Sequence, residues 1–320
     1  MAKKTSVNMD EKAANAGDRM KHALSLEVLS RTNAWNSITY AETHAGAGVY
    51  LEDKQGKPPH IHELRDIVLW QLMRNNEDAK IRSDNGTRAG AAFLNLLKEW
   101  WFDAANHGQY PGSAKQATIY LSKSRADQSF EIRLTEKDEK AFKRLNKAVS
   151  GVEEEPRNRS FYKERDWLTE PDNLFLVVDP FRCVESFDLS DQTDINKGDI
   201  DHGVVRELIE LCETKQAAVI HFWWSKRSQP GGSDMDKLVT ASHKAARRLC
   251  SDWKGDNPSR AVREFQDKHN HASLLLGIGD GARVVEDIPG KDEWQACWLK
   301  PFLAESQMNE AQSSAIEEAV

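Results

Sequence analysis

The stretch "ITYAETHAGAGVY", residues 38–50, decides how the rest of the chain is read. β-Branched and aromatic residues gather before a glycine turn, which predicts a strand over residues 37–43. That strand runs into Glu42, and after three spacers comes Gly46-Ala47-Gly48. With no Cβ, the two glycines let the backbone pass close to a ligand. A strand, a carboxylate and a glycine turn in this order suit a nucleotide or cofactor cradle. Spacing argues against two kinds. A dinucleotide turn would want a third glycine where Leu51 stands, and a P-loop would need Gly-Lys-Ser/Thr, which is absent. Any α/β turn also favours Gly-x-Gly, so the ligand has to be read from the remaining segments.

Outward from the turn, strands are expected at "FEIRLTE" (130–136), "NLFLVVDP" (173–180), "AAVIHFWW" (217–224) and "HASLLLGIG" (271–279). The second and third are nearly all apolar, as strands buried on both faces of a parallel sheet are. Between them lie helical patterns. Residues 17–31 place Met20, Leu24, Val28 and Leu29 near helical spacing. Two Leu- and Trp-rich helices at about 61–75 and 87–105 read as an insertion. "EKAFKRLNKAV", "VVRELIELC" and "DKLVTASHKAARRLC" follow. "DKQGKPPH" (53–60) is a loop and "YPGS" (110–113) a turn. Alternating strands and helices predict a doubly wound α/β sheet, whose ligands sit at the carboxyl ends of the strands. That rule selects Glu42 to Gly48, Glu136, Asp179 and the pair Trp223-Trp224.

With 320 residues, 39% of them hydrophobic and 30% charged, the chain can bury a large core. The expected organisation is a flexible N-terminus (1–16), a main domain (17–303) with its insertion at about 53–110, and a polar, acidic tail (304–320). No apolar run is long enough to span a bilayer and no secretory leader is evident, so a cytoplasmic protein with no membrane partner is expected. Four widely spaced cysteines without a CxxC pair make zinc and disulfides poor expectations. A net charge of −7 leaves only a local basic face for any polyanion.

"ETHAGAG" resembles the first motif of class I S-adenosylmethionine (SAM) methyltransferases, whose cofactor has no phosphate to neutralise. Further segments resemble the bacterial large-subunit ribosomal RNA adenine methyltransferases, which modify the exocyclic amine of one adenine. In that family's order stand Lys21-His22, "ETHAGAGVY", "YPGS", "LTE", Asp166 in "YKERDWL" and "VVDPFR", together spanning roughly residues 14–225. The resemblance implies a Rossmann-like class I methyltransferase fold with a helical insertion. It implies that His22, His44, Gly46, Gly48, Ser113, Glu136 and Asp166 hold SAM, with Glu136 on the ribose and Asp166 on the adenine. Asp179 would be the catalytic acceptor beside the methyl group. Lys21 would contact phosphate, and Pro180, Phe181 and Arg182 would meet the substrate base.

The family's Asp-Pro-Pro-Tyr is Asp179-Pro180-Phe181-Arg182 here, so the stacking aromatic falls to Phe181 or to the planar Arg182 guanidinium. Trp167 replaces a glycine after Asp166, where it could narrow the cofactor site. The "DPF" element also resembles the partner proteins of three-cysteine-motif proteins, which share the fold and occur in bacterial defence neighbourhoods. The sequence therefore carries two functional expectations. One is transfer of a methyl group to an adenine amine in nucleic acid, RNA favoured. The other is a degenerate methyltransferase-fold protein that binds a protein partner. "HFWWSKR" (221–227), "RNRSFYKER" (157–165) and "HKAARR" (243–248) offer stacking groups and cations, although core packing for the first and solvated faces for the others are the favoured readings. "HIHE" (60–63) has the look of metal ligands but lacks a further ligand group, so no metal is expected.

Overall fold

The computed structural model describes residues 13–14, 16–52, 61–62, 64–66, 68, 91–126, 128–149, 156–158, 165–179, 183–184, 200–224, 248–266 and 272–290. The elements run α1 (Ala16–Arg31), β1 (Ser37–Glu42), β2 (Val49–Leu51), α2 (Ala91–Phe102), β3 (Gln109–Pro111), α3 (Ser113–Ser124), β4 (Ser129–Leu134), α4 (Glu139–Ala148), β5 (Asn173–Val178), β6 (Cys183–Val184), β7 (Ile200–Asp201), α5 (His202–Glu213), β8 (Ala217–Trp224), β9 (Arg260–Gln266), β10 (Ala272–Gly279) and α6 (Asp280–Asp287). No helix among the described residues is long and apolar enough to cross a membrane.

Six strands form the central sheet in the order β4-β1-β5-β8-β10-β9. The first four are parallel. β10 runs antiparallel to both β8 and β9. This mixed, mostly parallel sheet has the α/β class that the sequence predicts. The alternation of strands and helices predicts the parallel core of this sheet, and β10 adds a reversed strand to it. β10 follows β9 by a short connection, which favours antiparallel neighbours, whereas a parallel partner needs a long crossover.

Period-two side-chain alternation sorts the core. On β5, Phe175 and Val177 join the cluster that contains α1 residues, while Leu174, Leu176 and Val178 join the cluster of α5 residues on the other face. All five are fully buried, and each such side chain stabilises the fold by about 1.5–3 kcal/mol. α1 departs from a simple amphipathic helix. Met20, Leu24, Val28 and Leu29 are buried as the spacing predicts, but so are Arg19, Lys21, His22, Ser25 and Glu27. Helices α2 and α3 pack against it, and its buried Lys21 reaches Asp179 just past the carboxyl end of β5.

Candidate active site at the strand ends

Register fixes where the carboxylates fall. Glu42, the last residue of β1, lies opposite Leu134 on one side and Val177 on the other. The ladder continues past the strand ends. Thr43 N–H donates to Val177 O at 3.1 Å, Thr135 N–H to Glu42 O at 3.0 Å, and Ala45 N–H to Thr135 O at 3.0 Å. Glu136, Glu42 and Asp179 thus stand at the same edge on three adjacent strands.

Gly46 and Gly48 have φ of +62° and +70°, a region in which a residue with a Cβ is strained. A Cβ at Gly46 would also collide with Tyr50 Oη. The turn is braced from β4. Gly46 N–H donates to Glu136 Oε2 at 2.9 Å and Asp138 N–H to Oε1 at 2.8 Å. Burial pushes the Glu136 carboxyl above its ordinary range, against these two N–H bonds, which lower it. From the other side, Gly112 N–H donates to Gly48 O at 2.7 Å, and β2 pairs with β3. The "AGAGVY" and "YPGS" segments are therefore one unit. "YPGS" is less a free turn than the end of β3 followed by α3, a helix the sequence reading did not expect.

Glu42 is 1% exposed. Ser113 Oγ donates to its Oε1 at 2.5 Å and Tyr40 Oη to its Oε2 at 3.0 Å. Burial pushes its carboxyl up to about 7; Ser113, Lys21 and Tyr40 pull it down and Asp179 adds to the rise. Lys21 Nζ donates to Asp179 Oδ2 and lies 3.6 Å from Asp18. Burial alone would lower the Lys21 ammonium, but Asp179 and Asp18 outweigh it and hold it above its usual range. Lys21 is 6% exposed, so its charge is directed at Asp179 rather than displayed on a surface for phosphate.

His22 sits one residue along α1. Its Nδ1 lies 2.6 Å from Tyr110 Oη and 3.1 Å from Gln116 Nε2. Burial, then Lys21 and His221, hold it well below the ordinary imidazole range. His221, on β8, bridges Ser25 Oγ at 2.9 Å and Ser273 Oγ at 2.8 Å; burial, then Lys21, lowers it to about 3. His22, Ser25, Tyr40, Ser113 and Gln116 line a narrow crevice with no room for a water molecule.

The remaining expected site residues are placed less uniformly. His44 is half-buried, its Nδ1 2.7 Å from Thr43 Oγ1. Asp166 lies in a short 3₁₀ turn, Arg165–Leu168, and is exposed. Trp167 is buried in the cluster that holds Ala41, Leu174 and Leu176. Pro180, Phe181 and Arg182 lie outside the described residues, as do His60 and Glu63. Tyr50, Tyr110 and Gln116 belong to the site although sequence reasoning passed over them; Tyr110 stands inside the quoted "YPGS". Among the described residues, no group of three or more His, Cys, Asp or Glu side chains is placed to hold a metal ion.

No protein family matches the chain, and no curated protein does. Among solved structures it is similar to protein LPL1258 from Legionella pneumophila str. Philadelphia 1 (family-model DUF519), with a TM-score of 0.53 and 14% identity over 86% of this chain and 91% of that one. It is also similar to lmo1582 from Listeria monocytogenes, assigned to the class I S-adenosylmethionine-dependent methyltransferases, with a TM-score of 0.38 and 8% identity over 90% of this chain and 65% of that one. The first likeness concerns the fold.

Proposed function

We propose that the chain is a SAM-dependent methyltransferase that modifies an adenine exocyclic amine in nucleic acid, with RNA the favoured substrate. The observation that carries this reading is the shared edge: Asp179 follows β5 beside buried Glu42, within reach of Lys21, next to a glycine turn braced by Glu136. SAM suits these residues. Gly46 and Gly48 present bare backbone, and the Glu136 carboxylate, which accepts from the Gly46, Lys137 and Asp138 N–H groups, keeps lone-pair capacity for a ribose hydroxyl. His22, His44 and Ser113 would hold the amino-acid end, and Asp166 the adenine.

When bound, SAM supplies an electrophilic methyl group. An adenine amine is a weak nucleophile because its lone pair is delocalised into the ring. Asp179 accepts an N–H hydrogen of that amine, localises the lone pair and takes up developing positive charge. The new bond is N–CH₃, the bond broken is S–CH₃, and the amine proton leaves through Asp179. Lys21 holds Oδ2, which leaves Oδ1 to accept the amine hydrogen, so Lys21 serves as the counter-ion of the acceptor. The target base is flipped out or single-stranded.

The Lys21–Asp179 pair also favours a second reading. A carboxylate kept on a lysine suits a methyltransferase-fold protein that binds a partner and transfers nothing. Titration with SAM and S-adenosylhomocysteine, followed by labelled methyl transfer to RNA, DNA and protein, separates the two. Label in RNA at adenine N6 supports the enzyme. Absence of both binding and transfer removes it.

A further inference from the structure

Gln116, in the first turn of α3, is 1% exposed. Its orientation can be assigned chemically. The side-chain atom 2.6 Å from Pro111 O must be the amide nitrogen, because a carbonyl oxygen only accepts. The same nitrogen lies 3.1 Å from His22 Nδ1. An amide nitrogen donates and does not accept, so Nδ1 is the acceptor and carries no proton. Tyr110 is consistent with that assignment. Its phenol is fully buried, and His22 Nδ1, at 2.6 Å, is the acceptor its O–H reaches.

We propose that Gln116 is a positioning residue: with Tyr110 it fixes His22 as the neutral tautomer protonated on Nε2, so that His22 meets a ligand in the crevice as a hydrogen-bond donor suited to a carboxylate. Two atoms are left over by this arrangement. His22 Nε2–H has no hydrogen-bond partner among the described residues, yet it is not sealed from solvent. Gln116 Oε1 is buried with none. Both residues line the cleft shared with Ser113 and Tyr40. A donor at His22 Nε2 suits the carboxylate at the amino-acid end of SAM, a step that rests on the cofactor reading above; the tautomer does not.

The test uses the full chain with ¹⁵N-labelled histidine, the His22 resonances being identified by their loss in His22→Asn. Long-range proton–nitrogen spectra at neutral pH should show Nδ1 unprotonated and Nε2 protonated. A proton on Nδ1 in the parent overturns the proposal. Gln116→Glu replaces the donor by an acceptor and should move the proton to Nδ1 or add a second one. Gln116→Met keeps the volume, removes the donor and guards against a fold lost to a buried charge. Both variants should bind S-adenosylhomocysteine at least tenfold more weakly, and Gln116→Met should keep the parent's melting temperature. Unchanged affinity in both variants overturns the positioning role. A parent that shows the expected tautomer but binds no S-adenosylhomocysteine supports the lock and removes the cofactor reading.

Discussion

Lys21, in the second turn of α1, hydrogen-bonds Asp179 at the end of β5, 158 residues away in sequence. The pair joins the first helix to the strand that carries the proposed acceptor. It also sits in the field of Glu42, which lies within range of both charges.

If Asp179 accepts the amine hydrogens, Asp179→Asn should lower kcat by about 10²–10⁴ and change the dissociation constant for SAM less than threefold. The variant also leaves Lys21 buried and half-paired, which should cost about 2–3 kcal/mol of stability. Single-turnover kinetics, calorimetry and urea denaturation give the three numbers. A parent-like rate removes Asp179 from the chemistry.

Glu136 serves the glycine turn and, on our reading, the ribose. Glu136→Ala removes the acceptor for Gly46 N–H and should weaken S-adenosylhomocysteine binding by at least tenfold. Glu136→Gln keeps one carbonyl oxygen and should lose less. Equal affinity across all three proteins places the nucleoside elsewhere.

At Gly46 the backbone lies in the left-handed region and Tyr50 closes over the position. Gly46→Ala should cost about 1–2 kcal/mol for the backbone alone, and more for the collision. Trimming the obstruction with Tyr50→Ala should recover part of the second cost and none of the first, so the double-mutant cycle should show favourable coupling. Strict additivity would mean that Tyr50 does not cover the turn.

The Glu42 carboxyl, near 7 when folded and 4.5 when unfolded, binds more protons in the folded state between those values. Its contribution to stability therefore falls as pH rises from about 4.5 to 7, by about 3 kcal/mol if fully expressed. His221, lowered from 6.5 to about 3, acts oppositely and loses stability as pH falls through that window. The two slopes oppose each other between pH 4.5 and 6.5. Glu42→Gln should remove one of them, so the variant should gain on the parent as pH is raised from 5 to 8 in thermal melts. A constant difference in melting temperature would mean that Glu42 is already charged at pH 5.

What could be read in the sequence follows from burial. β5 and β8 are continuous apolar runs because both faces of each are covered. β9 is "RAVREFQ"; with Ala261 and Phe265 buried and charges between them, it hid among helical patterns. Nothing in "HASLLLGIG" states a direction, so the reversal of β10 could not be seen. α3 buries Ala114, Ala117 and Leu121 behind a polar exterior, a weak stripe next to a strong turn signal. At the site, strand ends announced Glu42, Glu136 and Asp179. The partnership of Tyr50 with Gly46 and Gly112, and of Gln116 with His22, depends on β2 meeting β3 across the insertion, which no local pattern encodes.

The position of β10 orders events during synthesis. A nascent chain that has emerged as far as Trp224 can assemble β4, β1, β5 and β8, yet the outer rim of β8 then offers unpaired amide and carbonyl groups beside "AAVIHFWW". Such a bare rim invites pairing with other chains. It stays open until residues 272–279 arrive and slot in between β8 and β9. The half-made protein therefore passes through a sticky interval that lasts until β10 has been translated.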